Sequence, residues 1–357
     1  MYPEIMTSLS GNRITTVEYW EKYRRDEIMM LLKNFIYGET PIDRPEDISF
    51  AVEEIHREQN ILQKKVTISF CGYEIGADIF LPEGTDSKLP AYLMVMHQYE
   101  EEKCNVDQEL DFEIIPILDI VKRGYAIVAM KNSRLVPDMF EGEKFKEGIF
   151  RVLGHSDRGN AWGIISAWAW GASRVMDYLE TDPQIDASKV IVAGHSRSGK
   201  TALWTAACDQ RFAMAVSNDS GCSGAAFTRN KIGEHLEYIN RATDWFCENY
   251  KKYNTDEDML PFDQHMLLAA IAPRPLYVAS SSEDDWADPY SERLSCRMAS
   301  EVYELYGKTG VVLPRENVED NVAYHEGMIG YHCKSGNHGI TKFDWNYFMD
   351  FSDKYVK

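Results

Sequence analysis

The sequence predicts an α/β fold, a three-layer sandwich in which a mostly parallel, doubly wound central sheet is covered by helices on both faces. Three observations predict it. Short runs that are apolar on both faces, AYLMVM at 91–96, YAIVAM at 125–130 and VIVAG at 190–194, have the character of buried parallel strands. Helical stretches around 109–122 and at about 160–181 separate them. The alternation then continues through a helix from 197, AMAVSN at 213–218, PLYVASS at 275–281, a helix near 290–307, MIGYHCK at 328–334 and a last helix to the C-terminus.

Ahead of this region, VEYWEKYRRDEIMMLLKNFI at 17–36 spaces its apolar residues as an amphipathic helix does and stops before the GETP turn. It is expected to pack on the outside of the sheet. Between 62 and 82, LQKKVTISF and EIGADIFL flank CGY and predict a hairpin that opens the main domain. The domain reading is therefore a helical extension at 1–60 packed on a domain at 61–357. Residues 220–262 break the strand-helix rhythm with polar and aromatic side chains, and are read as an insertion over the functional site.

A hydrophobic share of 44% supplies a sizeable core, which excludes disorder. Acidic residues outnumber basic ones 57 to 38, and the formal net charge of −19 repels phosphate backbones and anionic lipid surfaces, so neither nucleic acid nor membrane is an expected partner. An anionic ligand would need a local cation, for which Lys200 and Arg197 are candidates. The seven cysteines are scattered and form no CxxC pair, which indicates neither a zinc knuckle nor a disulfide framework. No basic start followed by an apolar run opens the chain, and no stretch of about 18 apolar residues occurs in it. The expectation is a cytoplasmic protein, or a secreted one if a leader has been removed.

The strongest local signal is VIVAGHSRSGKTALW, where an apolar strand runs into Gly194, His195, Ser196, Arg197 and Ser198 and then into a helix-forming stretch. It fits the nucleophile elbow of the α/β-hydrolase fold, whose sharp turn needs small neighbours around a strained serine. Ser198 occupies the second glycine position of that motif and Gly199 follows it. The competing reading is a small-residue turn whose serine caps the helix.

A serine hydroxyl needs a base, which in this fold follows the last strand and comes after the acid in chain order. Among nine histidines, His338 in GYHCKSGNHG sits in a small-residue loop after MIGYHCK, whereas His332 lies inside that strand and His325 precedes it. For the acid, Asp284 is preferred among Glu283, Asp284, Asp285 and Asp288 past PLYVASS, with Asp219 after AMAVSN as a second carboxylate that shares the role. Glu283 and Asp288 read better as a loop charge or a helix cap. The amide of Arg197 and a donor near His97 and Gln98 are the expected oxyanion contacts. His97 is equally readable as a structural histidine.

With these residues in place the chain resembles the glucuronoyl esterases of carbohydrate esterase family fifteen, particularly the bacterial branch. The resemblance covers most of the chain through WAWGASRVMDYLETDPQIDASKVIVAGHSRSGKTALW, SNDSGCSGAAFTRNKIGEH, WFCENYKKY, LPFDQHMLLAAIAPRPLYVASSSEDDWADP and GYHCKSGNHGITKFDW. The family's SRxGK element falls on Ser196, Arg197, Gly199 and Lys200, and implies that Lys200 contacts sugar hydroxyls. A family tryptophan falls on Trp286, suited to packing on a sugar face, and Glu234 and Arg229 match positions near the sugar site. Fungal members carry a glutamate where this chain has Asp219, while bacterial members place an acid where Asp284 stands. Two features depart from what the resemblance implies: the opening residues do not read as the leader expected of exported members, and His195 stands where fungal relatives have cysteine.

The resemblance implies hydrolysis of (4-O-methyl-)glucuronic acid esters through an acyl-enzyme on Ser196, with no metal or cofactor and a small carbohydrate ester as partner. An acetyl or cinnamoyl esterase acting on xylan fragments with the same triad is the alternative, and a carbohydrate-binding homologue without turnover is the reading from a different class.

Overall fold

A computed structural model of the protein describes residues 2–138, 144–229, 232–315 and 317–357. Its strands are β1 Ser49–Arg57, β2 Ile61–Phe70, β3 Tyr73–Pro82, β4 Leu89–Met96, β5 Ala126–Lys131, β6 Ile185–His195, β7 Met214–Asn218, β8 Leu276–Ser281, β9 Ala323–Tyr324 and β10 Ile329–Lys334. They form one sheet in the order β1-β2-β3-β5-β4-β6-β7-β8-β10-β9. Every pairing from β5 to β10 is parallel. The pairings outside that block, β1 to β5 at one edge and β10 with β9 at the other, are antiparallel.

The helices are α1 Val17–Tyr19, α2 Arg25–Leu32, α3 Gln98–Lys103, α4 Ile117–Lys122, α5 Gly148–Leu153, α6 Ile164–Leu179, α7 Arg197–Cys208, α8 Leu236–Ala242, α9 Gln264–Ala269, α10 Pro289–Leu305 and α11 Lys342–Tyr355. Successive residues of a strand face opposite ways, and the core divides accordingly. Leu93, Val95, Val128, Val190 and Val192 pack with α6, α7 and α10. Tyr92, Met94, Met96, Ile127 and Ile191 pack with α4 and α11 on the other face. The three-layer expectation holds.

Chain direction reverses across β4: the connection to β5 moves one way along the sheet and the return to β6 moves the other. A crevice opens outside the carboxyl ends of strands at such a switch point. His97 follows β4 and Ser196 follows β6, so this crevice is where the candidate residues meet.

Three expectations need correction. The first 60 residues are not only helical, because β1 pairs with β2 along its whole length, from Ser49 opposite Ser69 to Arg57 opposite Ile61. SFAVEEIHR lacks a clean apolar alternation because it is a largely exposed edge strand, and edge strands carry charge that discourages further pairing. The helical segment of this region, which includes π turns at Trp20–Arg24 and Lys33–Tyr37, packs on the helix layer rather than directly on the sheet. Its Arg25 guanidinium donates to the carbonyls of Ala207 and Ala270, at the C-terminal ends of α7 and α9. Finally, the helix expected around 109–122 is confined to α4, since an Asx turn from Asn105 to Asp107 and Pro116 hold the preceding residues out of a helix. No described helix is long and apolar enough to cross a membrane.

Candidate active site

Ser196 stands between β6 and α7 with φ 57° and ψ −127°, a strained conformation for a residue with a side chain. Its amide donates to the Asn218 carbonyl at 2.8 Å, which ties the turn to β7. A Cβ on Gly194 would lie 2.1 Å from the Ser198 carbonyl oxygen, so only glycine fits there. Ser198, in the second glycine position, is accommodated as a fully buried side chain. Close contact with the neighbouring strand is made one residue later, where a Cβ on Gly199 would come within 3.0 Å of Ser220 Cβ and 3.1 Å of Ser217 Oγ.

His338 lies in the loop from β10 to α11, and Asp284 in the loop after β8. His338 Nδ1–H donates to Asp284 Oδ2 at 2.6 Å, which leaves Nε2 with its lone pair. Backbone bonds join the two loops, from Ser282 N to Lys334 O at 2.8 Å and from Glu283 N to Gly336 O at 2.9 Å. The His338 ring rests 4.5 Å, centroid to centroid, from that of His195, the residue just before Ser196. Burial holds the His195 pKa well below the usual imidazole range. The neutral ring donates from Nδ1 to Asn218 Oδ1 at 2.7 Å, so His195 is a packed wall for the base. Among the described residues no hydrogen bond joins Ser196 Oγ to His338 Nε2; contacts of this kind are often long without substrate and tighten when it docks.

Asp219 is the second carboxylate in this cluster. One carboxylate oxygen each from Asp219 and Asp284 and one ring nitrogen of His338 lie within 4.8 Å of one another. Asp219 Oδ2 accepts from Gly339 N at 3.0 Å and Ser281 Oγ at 2.8 Å, with Lys334 Nζ at 3.7 Å. Burial pushes its pKa up to about 6, against the opposing pull of Lys334. Lys334 is a residue that the sequence reading passed over. At the end of β10 it is buried, donates to Ser281 Oγ and the Gly339 carbonyl, and sits 3.6 Å from Asp344 Oδ2. A lysine closing an otherwise apolar strand was the available signal.

On the opposite side of the crevice, the Arg197 amide occupies the first position of α7, where no earlier helical turn supplies an acceptor. Its guanidinium bonds to Asp138 and lies 4.9 Å over the Trp245 ring, while Trp245 Nε1 donates to the other Asp138 oxygen at 3.1 Å. His97 is buried, and burial lowers its pKa to about 3. Glu100, also buried, is raised to about 8, so their 3.6 Å contact joins two neutral groups at neutral pH. The His97 amide already donates to Glu100 Oε2 at 2.9 Å, and the Gln98 side chain donates to Glu102. His97 thus serves at least as a structural histidine that caps α3.

The residues matched to the sugar site divide. Trp286 is 51% exposed, stands edge-on to the Tyr238 ring at 5.6 Å, and its carbonyl accepts from Glu234 N. Gly233 makes that docking possible, with φ 75° and room for no Cβ against the Asp285 and Trp286 carbonyls. Lys200 is not a surface helix lysine; it is buried, donates to Ser220 O at 2.7 Å and lies 3.4 Å from Glu234 Oε2. Arg229 departs from its matched role, because it is buried in an ion pair with Asp263 and donates to the carbonyls of Leu260 and Phe262. Its side chain braces the 220–262 segment, whose positions 230 and 231 lie outside the described residues.

The rejected candidates have structural duties. Asp288 caps α10 through Ser291 N. His332 is buried between Tyr277 OH at 3.0 Å and Asp344 Oδ1 at 2.8 Å, and His325 bonds to the same tyrosine.

Known proteins carry the same chain organisation. The family model described as glucuronyl esterase, fungi, matches residues 74–307. A carbohydrate esterase from an unknown prokaryotic organism is 33% identical, across 99% of this chain and 89% of that protein. A 4-O-methyl-glucuronoyl methylesterase of Schizophyllum commune is 28% identical, across 85% of this chain and 73% of that protein. Among solved structures, a glucuronoyl esterase from Solibacter usitatus superposes with a TM-score of 0.89 at 32% identity, covering 99% of this chain and 97% of that one. A promiscuous CE15 esterase from a marine bacterial metagenome superposes with a TM-score of 0.88 at 32% identity and the same coverage. The chain belongs to the glucuronoyl esterase family, carbohydrate esterase family fifteen.

Proposed function

We propose that the protein is a serine carboxylic ester hydrolase acting on esters of (4-O-methyl-)glucuronic acid. The observation that carries this reading is the 2.6 Å bond from His338 to Asp284, on a loop packed beside a strained Ser196. His338 Nε2 takes the Ser196 proton as Oγ attacks the ester carbonyl, and Asp284 steadies the imidazolium that forms. The Arg197 amide donates to the oxyanion, with the Arg197 guanidinium as the nearby fixed positive charge and His97 and Gln98 lining the facing loop. His338 then returns the proton to the leaving alcohol. Water activated by the same histidine cleaves the uronoyl-serine and releases the uronate.

Asp219, neutralised in part by Lys334, is the second acceptor behind the His338 loop. Trp286 and Tyr238 offer a ring surface to the sugar, and Lys200 with Glu234 offers a donor and an acceptor to its hydroxyls. The 220–262 segment, which carries Glu234, Tyr238 and Trp245, forms one wall of the site, while β1 of the first 60 residues extends the sheet at its far edge.

Methyl glucuronate hydrolysis, with Ser196→Ala as control, tests the proposal. Turnover by the native chain no faster than by the variant would end it. A second reading, cleavage of acetyl or cinnamoyl esters on xylan fragments, is motivated by the solved relative described as promiscuous. It would displace the first if acetylated xylo-oligosaccharides were cleaved with the higher kcat/KM.

A further inference from the structure

Tyr290, Arg293, Leu294 and Arg297 are spaced by three, four and seven along α10 and share one face of that helix. With Arg315 and Asn317 from the segment after α10, they line an open cavity of about 230 Å³. Among the described residues no carboxylate lines it. In a chain of formal net charge −19, three guanidiniums around one cavity concentrate positive charge.

Arg293 is the informative member. It is only 9% exposed, and among the described residues its guanidinium makes no hydrogen bond and no ion pair; it lies 5.2 Å from the centroid of the Tyr290 ring. Most of the side chain is covered, but none of its nitrogens is a fully buried atom without a partner, so the charged end opens onto the cavity. A positive group held this way inside a cavity is preorganised for an anion. Arg297 donates to the Pro314 carbonyl and so pins the segment that brings Arg315 to the cavity.

We propose that this cavity binds the carboxylate of a free uronate on an acidic oligosaccharide. The planar guanidinium fork matches a carboxylate, and the Tyr290 ring, in a residue 64% exposed, supplies an amphipathic face for the attached sugar. The helix begins directly after the loop that carries Asp284, so the cavity lies along the same rim of the sheet as the triad. The proposal rests on the esterase reading in one respect: an esterified uronate is neutral at the reacting centre, so unesterified uronates of the same polymer need a cationic site elsewhere.

Calorimetric titration of the full chain tests it, with sodium glucuronate, a xylo-oligosaccharide carrying one free glucuronate, its uncharged counterpart and inorganic phosphate as probes. The acidic oligosaccharide is expected to bind about tenfold or more tightly than the uncharged one, and to weaken as salt rises. Arg293→Gln should remove about tenfold of that affinity. Arg315→Gln, at an exposed position that cannot compromise the core, should remove several-fold. A gain seen only for the oligosaccharide and not for glucuronate itself would still support the cavity, with the polymer rather than the reaction product as its source of uronate. Equal affinity for charged and uncharged oligosaccharides, an Arg315→Gln protein that binds like the native one, or capture of phosphate without uronate would each overturn the proposal. Methyl glucuronate hydrolysis is measured separately, so failure of the esterase reading leaves a distinct signature.

Discussion

Replacing Asp284 by asparagine asks which of two carboxylates orients the base. The hydrogen bond from His338 Nδ1 is 2.6 Å long and ends on a buried carboxylate, while the His338 side chain is 42% exposed. A hydrogen bond to a charged partner contributes about 1.5–3 kcal/mol, and solvent on the imidazole side favours the lower half of that range. Asparagine preserves the shape but presents an amide group that can turn the imidazole into the tautomer with its proton on Nε2, where it cannot accept from Ser196. Asp219 stands close enough to compensate in part, but its Oδ2 is already engaged by Gly339 N and Ser281 Oγ. The expected result is a fall in kcat of about 10–40-fold with little change in KM. With Asp219→Asn added, the fall should reach about 10³–10⁴-fold, as when a triad loses its orienting acid. Initial rates on methyl glucuronate at neutral pH decide the matter. If Asp284→Asn keeps kcat within about threefold of the native value while Asp219→Asn alone abolishes it, the argument from the short bond is refuted.

The remaining predictions concern stability and binding. Burial raises the Asp219 pKa from 3.8 to about 6, so its contribution to stability is present below about pH 4 and is lost as pH rises through about 6. Asp219→Asn should therefore flatten the decline in unfolding free energy, read from urea titrations over that window, by on the order of 2–3 kcal/mol; an unchanged slope would contradict the assignment. Lys334→Met leaves two buried carboxylates without their cation and should cost about 3–5 kcal/mol, read as a lower melting temperature that Lys334→Arg partly restores. Gly194→Ala forces a Cβ to within 2.1 Å of the Ser198 carbonyl oxygen and should destabilise by at least about 2 kcal/mol; a native melting temperature would show that the turn relaxes freely. Trp286→Ala removes an exposed ring, so KM for methyl glucuronate should rise about tenfold at unchanged melting temperature, and an unaltered KM would remove Trp286 from the sugar site.

Much of this architecture was legible from local patterns. Runs such as AYLMVM and VIVAG are apolar at every position, and the two core clusters show why: alternate residues of one strand fill opposite faces of the sheet. The elbow was legible because Gly194 answers a steric demand within five residues of itself. Strand β1 was not, since an exposed edge imposes little apolar pattern.

By itself the sequence determined the order of strands and helices, the serine at the strand-to-helix turn and the histidine loop after the last long strand, because each depends on neighbours a few residues away. Only the tertiary structure decided between Asp284 and Asp219 as the direct partner of His338, set Lys334 between two buried carboxylates, withdrew Arg229 into a pair with Asp263 and gathered Arg293, Arg297 and Arg315 around one cavity. These outcomes depend on desolvation and on angstrom-scale distances between residues remote in the chain. Neither quantity exists until the sheet has brought its carboxyl ends to one rim.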